Sequence, residues 1–271
     1  MKRLLAIVAG ATLLGACAVT TQQEVQMGQN YSSQLNAQLA LIQDPEANRY
    51  LNVLGDSIAR LADQRNLTWH FYLVDDSAIN AFALPGGYIY VNRGLIEKAP
   101  HMDELAGVLG HEIGHVTKRH TAKTIQKEQG ATVGIVGLCV VLGNCNDPLT
   151  SKAIDIGASA VFAKFSRQDE SEADAEGVKN VVRAGIDPRG MRDMFQTLLA
   201  ERKARPGVVD AWFASHPMEE DRIAHVDALI AQVNPAVLAT LTKDSPRYDA
   251  FRARVMALPH VKKPAASGGA N

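Results

Sequence analysis

The sequence predicts an α+β fold, mainly helical, with a small antiparallel sheet beside one central helix. Three observations carry that reading. Apolar residues recur at three- and four-residue steps over most of the chain, the period of a helix with one buried face. Three short strand-like stretches fall between residues 68 and 91, separated by turn residues. The run from Leu105 to Val116 is apolar enough to lie in a core, and the short strands immediately precede it. At 271 residues there is room for one sizeable domain, and a formal charge of −1 with no basic patch excludes nucleic acid as a partner.

The chain opens with Met1-Lys2-Arg3 and an apolar stretch from Leu4 to Ala16, too short to span a bilayer. It ends in Leu14-Gly15-Ala16-Cys17, which resembles a bacterial lipobox. That resemblance implies a signal peptide over residues 1–16, cleavage before Cys17 and lipidation of Cys17, several acyl chains anchoring better than one. Ala18 after the cysteine favours the periplasmic face of the outer membrane, by analogy with lipoprotein sorting. Residues 17–258 are then one domain and 259–271 a disordered tail.

The first helix is expected from Thr20 to about Ile42, with Met27, Tyr31, Leu35 and Leu39 on one face. Asp44-Pro45 opens a second, buried through Tyr50, Leu51, Leu54, Ile58 and Leu61. Thr68–Val74, Ile79–Leu84 and Tyr88–Val91 read as strands, the last two joined through Pro85-Gly86-Gly87. Asp103-Glu104 suit the positive end of the central helix. The apolar segment 130–143 reads as a buried helical hairpin or as a flap. Cys139 and Cys145 can bond in an oxidising compartment if the helix ends near Leu142; otherwise they are two unpaired thiols. A helix runs to Ala184, and Asp187-Pro188 opens another with Met191, Met194, Phe195 and Leu198 inward. Trp212 to Pro217 is expected in a loop.

The central run reads His111-Glu112-Ile113-Gly114-His115, an H-E-x-x-H pattern. Residues four apart lie on one helix face, so His111 and His115 can offer two imidazoles to one zinc ion, with Glu112 placed to accept a proton from water. Gly110 and Gly114 imply that a strand or a substrate packs closely there. His120, nine residues past His111 on a continuing helix, would face away. Lys118 and Thr121 stand where a metzincin needs Gly and His. Glu170 and Asp174, one helical turn apart, suit a third ligand and a carboxylate that orients a ligating histidine. The competing reading is a solvated acidic face.

HEIGH followed by SRQDESEAD resembles the HtpX/BepA/LoiP-type gluzincin zinc metallopeptidases, a family that includes the CAAX prenyl proteases. The resemblance runs from about residue 25 to 230 and implies a zincin-type domain holding one Zn²⁺. His111, His115 and Glu170 would be the ligands, Glu112 the base and Asp174 the carboxylate behind them. BepA-type members carry a C-terminal tetratricopeptide domain; this chain is too short for one and resembles the stand-alone LoiP-like lipoproteins more. Asn80-Ala81-Phe82 and Gly86-Gly87 match the family's substrate-side segments, where an extended peptide can add to an edge strand. His216, in Ser215-His216-Pro217, matches a downstream histidine near the metal. It would be a fourth ligand or an oxyanion donor, against a purely structural histidine. The implied activity is endopeptidase cleavage of misfolded or unassembled envelope proteins, with the outer-membrane assembly machinery as a partner. The alternative is a zinc-stabilised chaperone or assembly factor without proteolysis.

Overall fold

Thr20 accepts a hydrogen bond from the backbone of Gln23, whose side chain returns the bond, and this reciprocal cap starts α1, Thr21–Asn36. A computed structural model describes residues 19–127, 164–217 and 220–262. The expected signal peptide with Cys17, the Cys139–Cys145 pair, the segment 130–143 and residues 263–271 lie outside the described residues.

Helix α1 is shorter than the expected run to Ile42. Past Asn36 the chain is drawn to the sheet instead: Leu41 bridges Val74, and the Ile42 N–H donates to the Leu73 carbonyl at 2.9 Å. Leu39 and Leu41 still pack with Met27, Tyr31 and Leu35, so the apolar spacing marked a shared cluster rather than a continuous helix. Asp44 caps α2, Pro45–Ala62, with Pro45 in its first turn, as expected.

Strands β1 (His70–Val74), β2 (Ala81–Leu84) and β3 (Tyr88–Asn92) form one sheet in the order β1-β3-β2. β2 and β3 are antiparallel, as the turn requires. β1 and β3, however, are parallel, so the sheet is mixed rather than antiparallel. The reason is topological: the hairpin inserts β3, not β2, beside β1, and a strand reversed twice runs with the first. Among the described residues, β2 pairs with a strand on one side only. Gly86 and Gly87 take φ of 80° and 100° at the turn, and a side chain on Gly86 would collide with the Val25 backbone of α1.

After the short α3, Arg93–Lys98, comes α4, Met102–Thr117, the most buried of the described helices. Leu105, Val108, Leu109 and Ile113 are fully buried, each contributing about 1.5–3 kcal/mol relative to an exposed side chain. α4 lies between the sheet and α2 on one side and α5 (Arg167–Arg183) and α6 (Arg189–Ala204) on the other.

Helices α7 (Pro206–Ser215), α8 (Glu220–Ala231), α9 (Pro235–Leu238) and α10 (Pro246–Ala257) complete the described fold. Trp212 to Ser215 is thus helical, contrary to the loop expected there. Pro206 opens α7 in a first turn that needs no N–H, and Val209 and Trp212, three apart, bury one face. Past α10 the chain returns to Asp75, whose carboxylate accepts the Val261 N–H and meets His260 at 3.1 Å.

Candidate metal centre

The approach of α5 to α4 builds the site. A Cβ on Gly114 would lie 2.8 Å from the Ala173 carbonyl, and one on Gly177 would lie 3.1 Å from the His111 backbone nitrogen. The expectation of a strand or substrate against Gly110 and Gly114 is corrected here: their neighbour is α5. That near backbone contact carries Glu170 and Asp174 from α5 onto the His111–His115 face.

Four side chains converge there. His115 Nε2 is 3.0 Å from His111 Nε2 and 3.3 Å from Glu170 Oε1. His216 Nδ1, at the C-terminal cap of α7, is 3.1 Å from Glu170 Oε1 and 3.3 Å from His111 Nε2. All four ligand atoms lie within 4.8 Å of one another, and all four residues are buried. Ligand atoms set tetrahedrally about 2.0–2.2 Å from zinc are roughly 3.3–3.6 Å apart, so the set fits one ion.

Residues 45–230 match the family described as Peptidase family M48. This chain belongs to that family. It is 32% identical over 225 residues to the Beta-barrel assembly-enhancing protease of Escherichia coli (strain K12), covering 80% of this chain and 45% of that protein. It is 28% identical over 255 residues to Metalloprotease YcaL of the same organism, covering 85% of this chain and 97% of that one. Mitochondrial metalloendopeptidase OMA1 of Schizosaccharomyces pombe is 28% identical over 178 residues, or 66% and 51% of the two chains. The chain spans about half the length of the assembly-enhancing proteases it matches. Residues 45–230 are thus an M48 metallopeptidase domain, and the converging donor set is able to hold one zinc ion.

Around this cluster, Asp174 Oδ1 meets His111 Nδ1 at 2.8 Å, which leaves His111 Nε2 facing the centre of the cluster. Arg222, on α8, donates to Asp174 through Nε and Nη2 at 3.0 and 2.7 Å and also contacts Glu170. Its guanidinium lies 4.5 Å from the centre of the Phe195 ring. Sequence reading missed Arg222, for a single arginine six residues past His216 has no periodic signature. Phe165 stacks on His115 with centroids 3.9 Å apart and was missed for the same reason.

Burial raises the Glu112 carboxyl above the ordinary glutamate range, against the pull of His216 and His111. Burial would also raise Glu170, but His216, His115 and His111 outweigh it and hold the group far below its usual value. Burial pushes His115 well below the ordinary histidine range. Burial opposes charge on His216 too, yet the carboxylates of Glu170 and Glu112 raise it. Among the described residues neither Glu112 oxygen has a hydrogen-bond partner, and His216 Nε2 lies 3.5 Å from Oε1.

His120 does not face away, as a continuous helix would require. α4 stops at Thr117, Arg119 adopts φ 62°, and His120 turns back until its Nδ1 is 2.9 Å from His115 Nδ1. Of the substrate-side residues, Asn80 and Phe82 line a cavity of about 270 Å³ between β2 and α7, closed by Phe165 and His216. Asn80 Oδ1 is buried there without a partner. Ala81 is fully buried, and Gly86 and Gly87 form the turn against α1 and Thr68.

Proposed function

We propose that this protein is a zinc-dependent endopeptidase of the bacterial periplasm, tethered to the outer membrane through Cys17, which cleaves misfolded or unassembled envelope proteins. One observation carries the reading: Glu112 holds a buried carboxylate, without a hydrogen-bond partner among the described residues, 3.5 Å from His216 at the edge of a cluster of three imidazoles and a second carboxylate. A structural zinc site has no use for a free acid at its rim. Zinc bound there supplies the Lewis acidity that polarises a scissile carbonyl and brings the pKa of water towards about 7.

Glu112, with its affinity for protons raised by burial, accepts the proton of the attacking water and returns it to the leaving amine. Asp174 keeps the His111 proton on Nδ1, and Arg222 balances the charge of Asp174 and Glu170. The side of β2 away from β3 takes an extended peptide by main-chain hydrogen bonds, and the cavity beside it receives one side chain. His216 stands between Glu170 and Glu112 in a closed arrangement, and must withdraw for a peptide to reach the site.

Names among the relatives, with their reference to β-barrel assembly, support an envelope setting. Among the described residues no helix is long and apolar enough to cross a membrane, which is compatible with a lipid tether. A second reading draws on the fourth protein group: four protein ligands are the mark of structural zinc, as in a chaperone without proteolysis. Cleavage of an unfolded protein such as casein, lost with a chelator and regained with Zn²⁺, supports the peptidase. Zinc-loaded protein without cleavage, with His216 intact or replaced by alanine, supports the chaperone.

A further inference from the structure

The two helical ligands are not supported in the same way. His111 has the Asp174–Arg222 pair behind its Nδ1. His115 has another histidine. With His115 Nε2 turned to His111 and Glu170, its outward nitrogen is Nδ1, and the atom facing it at 2.9 Å is His120 Nδ1. An imidazole that ligates through Nε2 carries its proton on Nδ1. His115 therefore donates, and His120 accepts.

Acceptance at Nδ1 leaves the His120 proton on Nε2. That atom lies 3.3 Å from Glu172 Oε2 and 3.6 Å from Asp169 Oδ1, both on α5. His120 is itself 1% exposed, so no solvent competes for either nitrogen. We infer that His120 is a positioning residue for the metal centre, accepting the His115 Nδ1 proton and passing its own hydrogen bond to Glu172, so that His115 presents Nε2 to zinc.

The approach to His120 is held from outside the site. Arg119 reaches its left-handed conformation with its Nε 2.7 Å from buried Glu24 of α1 and its Nη2 on the Val19 carbonyl. Arg65 holds the same Glu24 oxygen at 2.8 Å. The first described helix thereby locks the turn that delivers His120.

The inference rests on the zinc reading of the cluster, and the test separates the two. Zinc affinity is measured by competition with a chromogenic chelator on wild type, His120→Leu and His120→Asn. Unfolding of the zinc-free proteins reports the fold. Leucine fills the space but cannot accept; asparagine places an acceptor oxygen near the Nδ1 position. The expected result is zinc binding weakened about 10–100-fold in His120→Leu and within about threefold of wild type in His120→Asn. A slowly exchanging His115 Nδ1 proton, seen by NMR in wild type and His120→Asn and lost in His120→Leu, accompanies it. Equal affinity in all three, or equal loss in both variants, overturns the inference while the zinc reading stands. A wild-type chain that takes up no zinc overturns both. Should His120→Leu fail to fold, His120→Asn decides alone: a slowly exchanging His115 Nδ1 proton kept at near-wild-type affinity supports acceptance, and loss of that proton, or of affinity by about tenfold or more, refutes it.

Discussion

Gly114 on α4 and Ala173 on α5 approach so closely that a Cβ on the glycine would sit 2.8 Å from the alanine carbonyl oxygen. Neither residue has any chemistry, yet Ala173 precedes Asp174 directly and follows Glu170 by three. Gly114→Ala should push α5 outward, cost about 1–3 kcal/mol by overpacking, and weaken zinc binding along with stability. Thermal unfolding and chelator competition on the same variant check both. Unchanged zinc affinity would mean that the helix contact does not set the ligand distances.

Arg222 is buried between two carboxylates. Arg222→Ala leaves Asp174 and Glu170 facing each other without a counter-charge, a change that costs about 3–5 kcal/mol. The loss should be larger in zinc-free than in zinc-loaded protein, because the ion restores positive charge beside Glu170. Denaturant unfolding with and without zinc measures the difference.

His216 lies 3.1 Å from Glu170 and 3.5 Å from Glu112. His216→Ala should keep zinc on the three remaining ligands and raise the cleavage rate of unfolded protein. Lower cleavage with zinc retained would assign His216 to transition-state binding rather than to closure.

Asp103 is fully buried at the start of α4 with both carboxylate oxygens unpartnered, and burial lifts its pKa from 3.8 to about 7. The folded state then holds a proton that the unfolded state has released. This group's contribution therefore falls as pH rises from about 4 to about 7, and the deficit persists above that window. Asp103→Asn should flatten the decline across that window and be more stable than wild type at pH 8. Unfolding curves for both proteins at pH 4.5, 6 and 8 test it.

Part of the cluster was legible in the sequence because helical spacing by itself puts His111 above His115, and Glu170 above Asp174. What spacing could not supply was the end of α4. Reading the helix on through Lys118 and Arg119 sends His120 to the far side, whereas the left-handed Arg119, held by Glu24 from the other end of the chain, brings it back. The parallel pairing of β1 with β3 was hidden likewise, since a hairpin signal fixes which strands turn and not which one reaches the neighbour. Arg222 and Phe165 became functional only by tertiary approach. Helix α10, with the Tyr248 hydroxyl donating to the Ala99 carbonyl at 2.5 Å, formed without notice because its stripe of Tyr248, Phe251 and Val255 is short.

In the proposed reaction Glu112 moves the proton in a zinc-dependent peptide hydrolysis. Glu112→Gln, nearly the same in shape, should bind zinc as wild type does and unfold at a similar temperature. Its cleavage of an unfolded substrate should fall by at least about 10²–10⁴-fold. Zinc content and turnover measured on one preparation of that variant test the claim directly: full zinc with cleavage abolished is the predicted result, and full zinc with wild-type turnover would contradict it.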